Sequence, residues 1–359
     1  MLFERLRLEN LRNFTALDLD LGPRLNLFVG PNGAGKTSIL EGAYLLSHAQ
    51  SFRTGLTDSL IRRGNEQLVL AARLARRSGP VQVGLARSVE GWQAKINGQP
   101  VSSLGAVLGE CALVCFEPGS HALISGSSAE RRRFLDWGVF HVEPEFLGQS
   151  RQYSRVLRQR NAALKQSASE AELDAWDVEL VAAAGPLARM RTAYFARYAT
   201  ELAAVLALLL PELGLATARF SAGWPDETAL DHALRQARPR DRARGHTTRG
   251  PHRADWSIHF EGAPQREHLS RGQEKLCALA CVLAQARVHA AAKEEWPVIA
   301  LDDLASELDA EHQKMVVKML STAMAQVLIS GIDVPECLRG IDTPIRMFHV
   351  EHGMVRSLL

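Results

Sequence analysis

The sequence predicts an α/β fold built on a mixed β-sheet and split by an inserted, mostly helical lobe. Two short apolar runs, Leu25–Val29 and Val298–Leu301, read as buried strands, and each runs straight into a turn of glycines or carboxylates. Strand patterning over residues 1–105 gives way to helical patterning over 106–214, and strands and helices alternate again over 215–359. A chain of 359 residues that is 46% hydrophobic has ample core for two lobes.

The elements follow in chain order. Met1 to Leu8 alternates apolar and polar residues, which predicts a strand. After Leu25–Val29 comes Gly30-Pro31-Asn32-Gly33-Ala34-Gly35-Lys36-Thr37, then a stretch that puts Ile39, Leu40, Ala43 and Leu46 on one helical face. Residues 68–74 and 81–87 read as strands, with a hairpin turn at Asn97-Gly98. The helical lobe has breaks at Pro144 and Gly185-Pro186, and the apolar run 205–210 ends a buried helix at Pro211. Strand Val298–Leu301 ends in Asp302-Asp303, and a helix with Val316, Val317 and Leu320 inward follows, with Asp309 placed to cap it.

The glycine segment fits G-x-x-x-x-G-K-[ST] at every fixed position, in the strand, loop, helix context that the pattern requires. Gly30, Gly33 and Gly35 permit backbone angles that turn successive N–H groups toward a phosphate. A helix starting near Lys36 adds its positive end. Lys36 bridges the outer phosphates of a nucleoside triphosphate, the Thr37 hydroxyl takes Mg²⁺, and Ser38 completes the loop. An adjacent acid pair alone is more often a cap or a solvated turn. After such a loop, Asp302 reads as the Mg²⁺ carboxylate and Asp303 as the group that orients or deprotonates the attacking water.

Leu269-Ser270-Arg271-Gly272-Gln273 adds a helix start with a Ser-x-Gly-Gln segment. With it the chain resembles the ABC-type ATPase heads of the SMC and RecF group, and within that group it is most similar to the RecF family. The stretches that carry the resemblance are Leu8 to Phe14, Ser51-Phe52-Arg53, Gly126 to Asp136, Gly250-Pro251-His252-Arg253-Ala254-Asp255 and Leu301 to Asp309. The arginine-rich Phe-Leu-Asp and Gly-Pro-His-Arg stretches are particular to RecF.

The resemblance implies an ABC-type head that binds ATP and Mg²⁺ and dimerises on ATP. Ser270, Gly272 and Gln273 then reach the nucleotide held by the other subunit, and Arg12 and Asn13 join the nucleotide contacts. Ser128 stands where the family usually has proline, and Ala300 interrupts a more strictly branched run. Asp303 is one methylene shorter than the glutamate of transporter ATPases, which predicts slow turnover. Ser330 takes the place of their switch histidine as a γ-phosphate sensor, and no glutamine is assigned to the Q-loop.

A net charge of +2 is too small to imply a nucleic-acid partner by itself. Clusters at Arg131-Arg132-Arg133, at Arg151 to Lys165 and at Arg235 to Arg249 say more. With the resemblance they imply DNA contact through the phosphate backbone, assigned to Arg131, Arg132, Arg133 and Arg53. The implied partners are single-stranded and gapped double-stranded DNA, RecR and RecO, and RecA indirectly.

No apolar run approaches the length of a membrane span, and the N-terminus does not read as a signal peptide. Five cysteines without a framework spacing suit a reducing cytoplasm, with Cys277, Cys281, Cys111 and Cys115 as small core residues. The helical insert, about a hundred residues without sustained heptads, is too short for the coiled-coil tether of SMC proteins. Two other functions compete: the ATPase subunit of a membrane transporter, and a structural ATP-binding clamp with negligible turnover.

Overall fold

The computed structural model describes residues 1–53, 57–263 and 268–358. The chain divides into two compact units. One is Met1–His121 with Ser270–Leu359, and the other is the intervening Ala122–Leu269.

The first unit opens with β1 (Leu2–Leu11), β2 (Phe14–Asp20), β3 (Leu25–Val29) and α1 (Lys36–His48). It continues through β4 (Gln67–Ala75), β5 (Val81–Ser88), β6 (Gly91–Ile96), β7 (Gln99–Val101), α2 (Leu104–Glu110) and β8 (Leu113–Phe116). One antiparallel sheet runs β2-β1-β4-β5-β6-β7. The alternation read in the first residues is its pleat, with Phe3, Leu6 and Leu8 buried. Asn97 and Gly98 both take left-handed angles, the two-residue turn that matches strand twist between β6 and β7.

The second unit contains α3 (Ala122–Ser125), α4 (Ser128–Val142), α5 (Phe146–Lys165), α6 (Glu170–Leu209), β9 (Ala216–Ser221), α7 (Leu230–Arg244) and β10 (Asp255–Phe260). Three sequence expectations change here. The compact units part at 121/122 and 269/270 rather than at 105/106 and 214/215, because β8 pairs with the first unit's parallel sheet and β9 pairs with β10 inside the second. Gly185-Pro186 does not break the helix, since α6 runs 40 residues through it. A proline in a helix interior costs about 3 kcal/mol. Burial of Leu180, Ala183, Ala184, Leu187, Tyr194 and Tyr198 along one face outweighs that cost.

The third change concerns charge. Arg160, counted in a basic run, is fully buried and donates to Asp177 at 2.6 Å and to Asp241 at 2.9 Å. It ties α5, α6 and α7 together from inside. Arg160→Ala is expected to take the shared cation from two buried carboxylates and lower stability by about 3–5 kcal/mol. A thermal melt with an unshifted midpoint would contradict that role.

The chain then returns to the first unit with α8 (Arg271–Lys293), β11 (Val298–Leu301), α9 (Leu304–Glu307), α10 (Ala310–Thr322), β12 (Val327–Gly331), β13 (Ile345–Glu351) and β14 (Met354–Ser357). By length and composition alone α8 could cross a membrane, yet its Leu276 to Leu283 segment is buried, as in a core helix packed against β8. Cys277 and Cys281 belong to that buried segment. Cys115 lies in β8 as expected, whereas Cys111 caps α2 just before it. Asp309 caps α10, accepting from the Glu311 and His312 N–H groups at 3.0 Å.

The second sheet runs β14-β13-β3-β12-β11-β8, parallel from β13 to β8 with β14 antiparallel at its edge. Its register places Leu301 beside both Ile329 and Phe116, and Phe28 beside Ser330. The residues after these strand ends therefore emerge at one edge. They are Gly30, Glu117 and Asp302, with Ser330 beside them.

Candidate nucleotide site

A cleft of about 690 Å³ opens at that edge, lined by Gly33, Gly35, Lys36, Thr37, Asp302, Asp303 and Ser330 among others. The loop is shaped by close approach. A Cβ on Gly30 would lie 2.0 Å from the Val350 carbonyl oxygen, and one on Gly35 would meet the Phe14 ring at 2.8 Å. Asn13 donates to the Ala34 carbonyl at 3.3 Å and steadies the loop from the β1–β2 turn.

Beyond the loop, α1 begins at Lys36. The N–H groups of Gly33, Gly35, Lys36 and Thr37 have no acceptor among the described residues, so the loop presents open donors at a positive helix end. Lys36 is 9% exposed, and among the described residues its ammonium donates only to the Gly30 and Pro31 carbonyls, at 2.7 and 2.9 Å. Burial pushes its pKa below the ordinary lysine range, while Asp303 and Asp302 pull it back up. A buried cation held by neutral carbonyls beside open N–H donors suits a phosphate chain.

Asp302 lies at the exit of β11 with 3% exposure. Its Oδ1 accepts from Thr37 Oγ1 at 3.0 Å and from Ser330 Oγ, and Ser330 Oγ accepts the Asp303 N–H at 2.9 Å. Burial raises the Asp302 pKa, the Ser330 and Thr37 hydroxyls lower it, Asp303 raises it again and Arg53 lowers it. The hydroxyl of Thr37 and the carboxylate of Asp302 form a hard-oxygen pair that fits Mg²⁺. No cluster of three or more His, Cys, Asp or Glu side chains suited to a metal exists among the described residues. Asp303 stands one residue on, in a left-handed conformation, and accepts the Ser306 hydroxyl at 2.9 Å.

The family model described as RecF/RecN/SMC N terminal domain matches residues 2–356. DNA replication and repair protein RecF of Stenotrophomonas maltophilia is 48% identical over 99% of both chains, and that of Shewanella baltica 35% identical, again over 99% of both. The chain belongs to the RecF family. A solved structure of the recombination mediator RecF with ATP, from the RecFOR pathway, superposes with a TM-score of 0.89 at 24% identity, covering 99% of this chain and 97% of that one. The Smc head from Pyrococcus furiosus bound to the C-terminal domain of ScpA gives 0.60 at 14% identity, covering 99% and 95%. Both likenesses are of fold, the α/β head of the ABC-type ATPases.

Two stretches particular to RecF turn out to be mutual partners within the second unit. Arg131 makes a two-pronged pair with Asp255 at 2.7 and 3.0 Å, and Arg132 donates to the Ala254 carbonyl at 2.7 Å. Asp136 takes Arg191 at 2.7 Å, and Arg191 also donates to the Pro251 carbonyl. The trio assigned to DNA is thus split. Arg131 and Arg132 brace the unit, and Arg133 alone of the three is exposed.

Arg12 and Arg53 both lie at the nucleotide cleft. Arg12 lines the cleft but pairs with the buried Glu41 at 2.7 and 2.9 Å, through both prongs of its guanidinium. Arg53 lines the same cleft. Asn32 lines it too, while Ala34 is buried in the loop and Ser38 in the first turn of α1.

Ser270, Gly272 and Gln273 are absent from the cleft lining. They open α8, where Ser270 Oγ accepts from the Gln273 N–H at 3.3 Å and the Gln273 side chain accepts from the Ser270 N–H at 3.0 Å.

Sequence reading passed over Glu117. It follows β8 as Asp302 follows β11, and it lines the cleft. Burial raises its pKa, the Gly119 N–H lowers it, and the Asp302 charge raises it further. An apolar run ending in a carboxylate was the available signal, and Leu113–Phe116 carries it as plainly as Val298–Leu301.

Proposed function

We propose that the chain is an ATP-dependent DNA-binding recombination mediator in which ATP and Mg²⁺ close two copies around DNA. One observation carries the reading. The cleft gathers Lys36, Thr37, Asp302, Asp303 and Ser330, while the exposed Ser270 segment at the head of α8 does not line it. A helix start with its own cap satisfied and exposed toward solvent suits the γ-phosphate held by a second copy.

Lys36 and the open N–H donors hold the phosphates, and Thr37 with Asp302 holds Mg²⁺, which neutralises charge on the phosphate oxygens. Asp303 aligns the attacking water, and Ser330 couples its backbone to Asp302. Arg12 and Asn13 shape the loop from beside it. The short Asp303 side chain makes hydrolysis slow, and we assign it the role of a DNA-stimulated timer that reopens the dimer.

The relatives' names supply the setting for this reading. In it the closed dimer binds gapped DNA or single/double-strand junctions, and acts with RecO and RecR to promote RecA loading in gap repair, replication restart and SOS induction in the cytoplasm. Arg133, the exposed member of the arginine trio, is the one we assign to DNA.

Light scattering tests the closure. The mass of the wild type is expected to double with ATP but not with ADP, and Ser270→Arg is expected to bind ATP as a monomer. An ATP-driven dimer of Ser270→Arg would remove the segment from the site.

A further inference from the structure

The second unit holds a cavity of about 490 Å³ that the nucleotide site does not use. Arg240, Arg244, Arg249 and Arg253 line it with Trp224 and Thr248, and no carboxylate does; the acids next in sequence, Asp226 and Glu227, stay outside the lining. Arg240 and Arg244 come from the end of α7, and the others from the segments after β9 and before β10.

The arginines of α7 divide by face. Arg238 reaches Glu170, Asp174 and Asp177 at 2.8, 2.7 and 2.5 Å, and Arg242, one turn on, reaches Glu170 at 2.7 Å. Arg240 and Arg244 are set two residues from these, about 200° round the helix. Neither guanidinium has an ion-pair or hydrogen-bond partner among the described residues, and neither do those of Arg249 and Arg253. A fold that neutralises the arginines on one face of α7 leaves four unneutralised around one cavity. Four like charges at one place repel unless an anion joins them.

The cavity is also preformed. The Gly250 N–H donates to the Gly223 carbonyl at 3.2 Å, and a Cβ on Gly223 would lie 2.2 Å from the Gly250 carbonyl oxygen. The segments carrying Trp224 and Arg249 therefore meet backbone to backbone.

We propose that this cavity binds single-stranded nucleic acid, its guanidiniums taking backbone phosphates while a base stacks on Trp224. Arginine forks match phosphate oxygens in pairs, and an indole face accepts any base. The volume falls in the range of small-ligand pockets, enough for a nucleotide unit and too little for a duplex. The proposal rests on the DNA role argued above and extends it to a second site, in a different unit from the nucleotide cleft.

Anisotropy of a labelled oligothymidylate of about 20 nucleotides, titrated with the full chain at several salt concentrations, tests it. Arg240→Gln with Arg244→Gln is expected to weaken binding about 10-fold or more and to lower the salt slope by about 1.4, two phosphate contacts at about 0.7 each. Trp224→Leu is expected to weaken it about 5-fold or more. Arg235→Gln, which loses an exposed charge already paired with Asp231, should bind as wild type does. ATP-driven dimerisation should persist in all three.

Wild-type affinity and slope in the double variant would overturn the cavity assignment while leaving the DNA role intact. A wild-type chain that binds no oligonucleotide would overturn the cavity assignment, and one that also binds no gapped duplex with ATP would overturn the DNA role. Polyglutamate that displaces the oligonucleotide and loses affinity equally in the double variant would make the ligand an acidic protein surface and overturn the proposal.

Discussion

Lys36→Ala is expected to weaken ATP binding by about 100-fold or more and to abolish ATP-driven association. The ammonium is buried and donates to two neutral carbonyls, with no carboxylate in hydrogen-bond contact among the described residues, so a phosphate can take those bonds. A hydrogen bond from a charged donor to a charged acceptor contributes about 1.5–3 kcal/mol. Two such bonds come to about 3–6 kcal/mol, which is two to four orders of magnitude in affinity. Alanine keeps helix propensity at the first position of α1, so unfolding should not confuse the result. Fluorescent ATP-analogue binding and light scattering measure both parts. Unchanged affinity would refute the loop assignment.

The parts of this site that were legible in sequence are those where one short segment carries both geometry and chemistry. Gly30 to Thr37 contains its own strand exit, donors and helix start. Asp302-Asp303 stands at the end of an apolar run whose burial on both faces predicts a parallel strand. Glu117 was missed because a lone carboxylate after an apolar run takes its meaning only from pairing with β11, far along the chain.

The relay through Ser330 was half visible. Its position after Val327-Leu328-Ile329 suggested a sensor, but its bonds to Asp302 and the Asp303 N–H depend on register between strands. Charge was the least legible property. Arg160, Arg131, Arg238 and Arg240 look alike in sequence, yet the first is wholly buried, the next two are paired and the last faces a cavity with no acid. A helical repeat separates Arg238 from Arg240 only once the helix is known to continue through Pro239.

Asp303→Asn is expected to lower ATP hydrolysis by about 10²–10⁴-fold while leaving ATP and Mg²⁺ binding in place, so the ATP dimer and its DNA complex persist. The factor corresponds to about 2.7–5.5 kcal/mol on the barrier. Selectivity of this kind follows from the local geometry. Asp303 is held in a left-handed conformation that asparagine also tolerates. Its backbone N–H, not its side chain, donates to Ser330, so the Ser330 to Asp302 to Thr37 chain of hydroxyls and carboxylate survives the change. What is lost is one negative charge beside the position of the attacking water. Phosphate release should fall while light scattering still reports a dimer with ATP. Release at the wild-type rate would move the water-activating role elsewhere in the cleft. Glu117 would then be the carboxylate to test, since it lines the same cleft and the Asp302 charge acts on it.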